Sequence, residues 1–330
     1  MTFCHAQNPN LVRQSLPLRF CQYLNERFPP VAYGLMTALF VLAGISLSSV
    51  LRVGHVVLSL TQFNVGFLVI FGLFFQLRVA DEWKDREEDA LYQSERPVPR
   101  GLISLSALTW AAGAAAFGQI LLVTLYDKSM LCLLGIVWSY FFLMSKEFFC
   151  PKFLRSRPAL YVLSHMFILV LSDLFITALD WWHQPDSFHL QVPASVVNFS
   201  SIVPTGLLLF LGASFANGLV IELGRKIRSL DEERPGVETY SKMLGLTRAL
   251  YLLLACLITA HIAIACALSH LSSGAIAGGI LALMDILLVM TACLATQKGI
   301  QKPLTNISNL SVLLSYLVVF LSALSSHAIL

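Results

Sequence analysis

Charge is what this sequence has least of. Only 12% of its 330 residues are Asp, Glu, Lys or Arg, while 57% are hydrophobic. Soluble domains carry about 25% charged residues, so a free-standing aqueous globule and a disordered chain are both excluded. The net charge of +3 offers no strongly basic surface for nucleic acid. Cysteine is sparse: seven residues, no C-x-x-C pair, several inside apolar runs. Neither a disulfide framework nor a cysteine metal site is therefore expected. Residues 1–28 hold no continuous apolar core of a cleavable signal, and the short alternating strands of a β-barrel are missing too.

What is present is a series of long apolar runs. A bilayer core about 30 Å thick needs about 20 helical residues at 1.5 Å rise each. Nine stretches approach that length: 31–51, 56–78, 102–125, 129–149, 158–180, 200–222, 244–269, 274–296 and 306–328. Lipid gives the backbone no outside partner, so each run must be a helix. The expected fold is all-α: a polytopic membrane protein, nine transmembrane helices around a central cavity open to the cytoplasmic side. With the amino terminus in the cytoplasm, every Lys and Arg of the 22 falls inside except Arg52 and Lys128, as the positive-inside bias requires. The carboxyl terminus is then external. The expected setting is a prokaryotic cytoplasmic membrane, with the bilayer as partner and no obligate protein partner. Residues 1–30 read as a cytoplasmic lead-in, in which Leu16, Phe20, Leu24 and Phe28 suggest a short interfacial helix after Pro17. Residues 31–330 read as a single transmembrane domain.

Two polar stations interrupt this pattern, both at the cytoplasmic end of even-numbered spans. The first runs from Arg78 to Gly101 and holds Asp81, Asp85 and Asp89, each four residues from the next. On a helix continuing from span two, the three carboxylates share one face and repel unless a cation sits among them. Few carboxylates beside a phosphate are what Mg²⁺ prefers. The alternative is a solvated acidic face balanced by Lys84, Arg86 and Arg96. The prolines of Arg96-Pro97-Val98-Pro99-Arg100-Gly101 stop the helix.

The second station runs from Glu222 to Tyr240. It is rich in Arg225, Lys226 and Arg228, followed by Asp231, Glu232, Glu233 and Arg234. Lys and Arg bind phosphate directly but do not ligate metals. Read alone, the segment is equally a positive-inside anchor. Three ionisable residues, His165, Asp173 and Asp285, lie within spans. An interhelical hydrogen bond is the role favoured for each, with Asn64 and Asn217 suited to the same task.

D-x-x-x-D-x-x-x-D followed by R-P-x-P-x-G, between the second and third of nine spans, resembles the UbiA superfamily of intramembrane prenyltransferases. Ala80 stands where that family usually has an asparagine. The resemblance implies Mg²⁺ held by Asp81, Asp85 and Asp89, and transfer of an isoprenoid group from a prenyl diphosphate to an acceptor. Arg96 belongs to the matching hexapeptide, and Lys146 stands near the position of a diphosphate-contacting lysine, with a snorkelling anchor as the alternative. The family's second acidic motif is altered here. Glu222, Glu233, Arg234, Gly236 and Thr239 match it, whereas its two leading aspartates fall on Lys226 and Ser229. Either Arg225, Lys226 and Arg228 replace a second metal's charge at the phosphate, or diphosphate chemistry is lost. Two other readings stay open: the same fold acting on a phosphosugar-type donor and a lipid phosphate acceptor, and a divalent-cation or solute permease using Asp173, His165 and Asp285.

Overall fold

The computed structural model describes residues 15–182, 205–228, 233, 239–298 and 302–326. Its described residues are helical apart from turns and short connections. The helices are α1 (Leu16–Arg27), α2 (Pro30–Val53), α3 (Leu60–Lys84), α4 (Arg86–Tyr92), α5 (Leu105–Asp127), α6 (Leu131–Ser145), α7 (Pro151–Arg155), α8 (Pro158–Trp181), α9 (Thr205–Lys226), α10 (Tyr240–Leu244), α11 (Leu246–Leu268), α12 (Gly274–Lys298) and α13 (Lys302–Leu324).

Eight runs are long and apolar enough to cross a membrane, one of them the 41-residue stretch Leu105–Ser145. Forty-one helical residues would extend about 60 Å, twice the hydrocarbon core. A tight turn at Lys128–Met130 divides the stretch into α5 and α6. Trp83 donates to Thr109 Oγ1 at 2.9 Å, placing the start of α5 beside the end of α3. Trp182, just past α8, donates to Ser129 at the turn itself. Past α6, Glu147 returns to pair with Lys84. The stretch is thus an antiparallel hairpin, and the described residues hold nine helices of membrane scale.

Successive helices run in alternate directions. Arg52 at the end of α2 meets Asp180 at the end of α8 (2.7 Å), and Ser273 before α12 donates to the Ser322 carbonyl of α13 (3.0 Å). Arg78, Lys84, Arg225 and Lys226 gather at the opposite, basic end. Helices α2, α8 and α9 are the most enclosed, whereas α12 and the α5–α6 hairpin present most of their surface outward. Close approach is bought by small residues: a Cβ on Gly44 would stand 2.7 Å from Ile176 Cγ2 across α2 and α8.

Helix starts follow local chemistry. Ser59 and Gln62 form a reciprocal capping box at α3, and Ser104 caps α5 through the Ala107 N–H. Proline occupies the first turn of α1, α2, α7 and α8, where its missing N–H costs nothing. Helix α1 forms as the four-residue spacing implied, and it docks on α3. Tyr23 is fully buried, Phe20 meets Phe75 edge-on at 6.1 Å, and Phe28 meets Phe71 at 5.1 Å and Phe75 at 5.6 Å.

Candidate active site

The first acidic station differs from a continuous helical face. Helix α3 ends at Lys84, Asp85 adopts φ −89° and ψ 6°, and α4 begins at Arg86. Backbone bonds from Asp85 N to Asp81 O and from Asp89 N to Asp85 O (2.9 and 2.8 Å) bridge the kink. The three aspartates meet different fates. Asp81 is partly exposed and faces Arg78 at 3.8 Å. Asp85 is half-buried; burial pushes its carboxyl above the ordinary range, and the charges of Asp81 and Asp89 add to the rise. Asp89 is buried, and Arg96 Nη1 donates to both of its oxygens (2.6 and 2.7 Å), with Gln93 also donating at 3.3 Å. Arg96 is therefore committed to Asp89 rather than free for a substrate.

The hexapeptide places its two arginines on opposite duties. Arg96 clamps Asp89, and Arg100 reaches back to Glu26 of α1 (2.9 and 2.6 Å). Gly101 has φ +79° with open space around it, so the turn needs glycine for its backbone alone. Arg27 of α1 also reaches the buried Glu82 (2.8 Å), which Arg78 contacts at 3.2 Å.

The second station converges on the first. Glu222, buried near the end of α9, is paired with Arg225 (2.7 Å) and Lys226 (2.9 Å). Arg225 extends to Asp81 at 3.6 Å with half its side chain exposed. An acid from α3 and a base from α9 thus meet at an open end of the bundle. Lys226 lies 5.6 Å from the Tyr161 ring centre and 6.0 Å from that of Tyr240, while Lys84 sits 4.6 Å above the same Tyr161 ring and bonds its hydroxyl. Glu233 accepts from Thr239 at 2.6 Å and lies 3.5 Å from Lys242. Burial would raise Glu233, but the bonds from Thr239 and Ser241 and the Lys242 charge bring its carboxyl below the usual range. Arg228 anchors through its backbone N–H to Ser241 (2.8 Å). Arg234, Ser229 and Gly236 lie outside the described residues.

Lys146 caps the end of α6 with its side chain exposed, and no ion pair or hydrogen bond among the described residues ties it to this cluster. Its neighbour Glu147 is the buried one, 3.3 Å from Lys84. Glu147, Phe148 and Phe149 all have positive φ (49°, 51° and 56°). That left-handed turn, costly for residues with a Cβ, carries Glu147 inward. Sequence reasoning missed Glu147 and Tyr161. Tyr161 is four residues before His165, a same-face spacing that could have flagged it.

Within the spans, Asp173 accepts from Ser214 across α8 and α9, and Tyr316 of α13 donates to Ser214 at 3.2 Å. Asp285 meets His261 at 2.7 Å across α11 and α12. These two acids make the interhelical bonds expected of them. His165 does not: its Nδ1 turns to the Tyr161 carbonyl of its own helix at 2.7 Å. Asn217 is buried and Asn64 exposed.

The donor set bears on a divalent cation. No group of three His, Cys, Asp or Glu side chains converges among the described residues. Asp81 and Asp85 fit Mg²⁺, which takes one or two carboxylates and completes its shell with water and phosphate oxygens. Asp89, held by Arg96, does not fit that role.

No family model matches the sequence, and no curated protein matches it. A solved structure of digeranylgeranylglyceryl phosphate synthase in membranes aligns with 93% of this chain and 99% of its own, with TM-score 0.55 and 13% identity. The two chains share a fold. That likeness supports the UbiA-like architecture implied by the aspartate motif and the hexapeptide, and an integral multi-pass membrane protein with it.

Proposed function

We propose that this protein is a membrane-embedded transferase that moves an isoprenoid group from a prenyl diphosphate to an acceptor, assisted by Mg²⁺ at Asp81 and Asp85. The observation that carries the reading is the Arg225–Asp81 contact, 3.6 Å between the basic and acidic stations at an exposed end. A diphosphate set there would meet Arg225 and Lys226 on one side and the metal-binding carboxylates on the other. The fold shared with the synthase supports prenyl transfer at a general level.

In this reading the prenyl chain lies among the helices with its head at the basic, cytoplasmic end. Mg²⁺, when bound, neutralises charge on the leaving diphosphate. Arg225 and Lys226 supply fixed positive charge as the allylic C–O bond breaks, in place of a second acidic motif. Arg228, two residues past Lys226, adds to that positive charge. Glu222 holds Arg225 and Lys226 in place, and Asp89 acts through Arg96 by fixing the loop that follows α4. Helix α1, tied by Arg27 and Arg100, closes one flank against water.

Membranes carrying the protein, incubated with Mg²⁺ and labelled geranylgeranyl diphosphate, should yield a prenylated product from geranylgeranylglyceryl phosphate or another acceptor. Asp85→Asn should abolish it. Failure of the wild type to bind or consume any prenyl diphosphate would refute the reading.

A further inference from the structure

One buried group at this end has no assigned duty. His165 sits on α8 with 8% of its surface exposed. Its ring stacks on Tyr161 at 3.9 Å between centres, with Phe148 edge-on at 6.0 Å. Nδ1 lies 2.7 Å from the Tyr161 carbonyl oxygen. A carbonyl can only accept, so Nδ1 carries the hydrogen, and in the neutral ring Nε2 is left as the acceptor. Nε2 is buried and has no hydrogen-bond partner among the described residues. A buried acceptor without a donor is costly, so this nitrogen is suited to take a hydrogen bond from a bound molecule.

Its surroundings say what partner. Charged groups face the ring from every flanking element: Lys84 from α3, Glu147 from the turn after α6, and Glu222 and Lys226 from α9. The remaining titratable neighbours are Tyr161 on its own helix and Tyr140 of α6, whose hydroxyl is spent on the Ser164 carbonyl (2.6 Å). These residues are the inner side of the cluster that holds the diphosphate in the function proposed above. A hydroxyl brought beside that diphosphate would supply the Nε2 lone pair with its missing donor.

We propose that His165 is the general base for an alcohol acceptor. This rests on the prenyl-transfer reading and adds to it the group that takes the acceptor's proton. The allylic C–O bond breaks with its electron pair leaving on the diphosphate oxygen. The acceptor oxygen forms the new C–O bond to the allylic carbon, and its proton passes to Nε2, giving the imidazolium. General bases of this kind contribute about 10²–10⁴-fold.

The test uses the full-length protein in lipid nanodiscs with Mg²⁺, labelled geranylgeranyl diphosphate and geranylgeranylglyceryl phosphate. His165→Asn keeps a donor to the Tyr161 carbonyl and removes the Nε2 acceptor; His165→Gln places an amide near Nε2. For His165→Asn the expected result is a kcat about 100-fold lower, with donor KM within about twofold and the acidic limb of the kcat–pH profile gone. His165→Gln, whose amide can accept a hydrogen bond but not the proton, should be as slow as His165→Asn. Wild-type protein that consumes no donor would defeat the transferase reading itself. Active wild type with His165→Asn within threefold and an unchanged pH profile would overturn the base assignment alone. Loss of donor binding in both variants would also overturn it, because His165 would then be only structural.

Discussion

Arg96 and Asp89 form a close ion pair, both oxygens of a buried carboxylate within 2.7 Å of one guanidinium nitrogen. Seven residues apart, they close the turn that links α4 to the hexapeptide. Arg96→Ala leaves the Asp89 charge buried and unpaired, a change that costs about 3–5 kcal/mol. Arg96→Lys keeps one charged nitrogen but on a more flexible stem, and should fall between. Thermal unfolding in detergent would order the three proteins wild type, Lys, Ala; equal melting of Arg96→Ala and wild type would remove this clamp from the account.

Asp85 sets stability against function. Its folded-state carboxyl is raised above the ordinary value of 3.8, first by burial and then by Asp81. An acid raised on folding penalises the folded state once pH exceeds its unfolded value, and the penalty is complete above the folded one. Asp85→Asn should therefore melt higher than wild type at neutral pH, while losing transfer altogether. The stability difference should vanish toward pH 4. Lower melting of the variant at pH 7 would mean that the carboxylate is satisfied, not stored for a ligand.

The Glu26–Arg100 pair gives the opposite sign. The Arg100 hydrogen bond holds the Glu26 carboxyl below its ordinary value of 4.5. Its contribution is present above that value and is lost as pH falls through the lowered one. Hydrogen-exchange protection factors over residues 16–27 should therefore fall below about pH 4.5, more than those in α2 do. Arg100→Leu should show the lower protection already at pH 7. Because both side chains are about one-third exposed, the effect should shrink in high salt.

How far the sequence reached can be seen at particular residues. Nine helices and their alternation were legible because lipid permits one solution for a long apolar run. The aspartates and the hexapeptide were legible as a motif, and Lys226 as a break in one. The kink at Asp85 was not, since no proline or glycine marks it and the four-residue period reads as one helix. Nor was the burial of Glu147 in place of Lys146, which depends on a left-handed turn that its side chains do not favour. The docking of α1 rests on pairs separated by 55 and 74 positions, Arg27–Glu82 and Glu26–Arg100, and no local spacing reports such contacts. Arg225 and Asp81 belong to different stations, and only the packing of α3 and α9 against the same two helices, α2 and α8, brings them together.

Packing in the bundle can be tested at Gly44. An added Cβ would stand 2.7 Å from Ile176 Cγ2, and a branched carbon next to the backbone has little room to yield. Gly44→Ala should cost about 1–3 kcal/mol through overpacking, separating α2 from α8. Gly113, with nothing within 4 Å of an added Cβ, is the control: Gly113→Ala should gain about 1 kcal/mol from helix propensity. Equal melting of the two variants would show that α2 and α8 are less closely set than this.

The altered second station makes a prediction about metal stoichiometry. In this chain Lys226 lies 2.9 Å from Glu222 and Arg225 lies 3.6 Å from Asp81, so fixed ammonium and guanidinium groups stand beside the carboxylates where a second cation would gather. Carboxylates already neutralised by bases have little left for a further divalent ion, and the bases bind phosphate oxygens without it. Initial rate against Mg²⁺ concentration should therefore rise with a slope of one on logarithmic axes. Lys226→Ala removes a charge-assisted phosphate contact of about 1.5–3 kcal/mol, or about 10- to 100-fold in donor affinity. It should do so without changing that slope. Lys226→Asp should weaken the donor further and move the slope toward two, as a new carboxylate beside Glu222 recruits a second ion. A slope of two in the wild type would mean that Arg225 and Lys226 shift aside for metal, and that the basic station is a gate to the diphosphate rather than a substitute for its second cation.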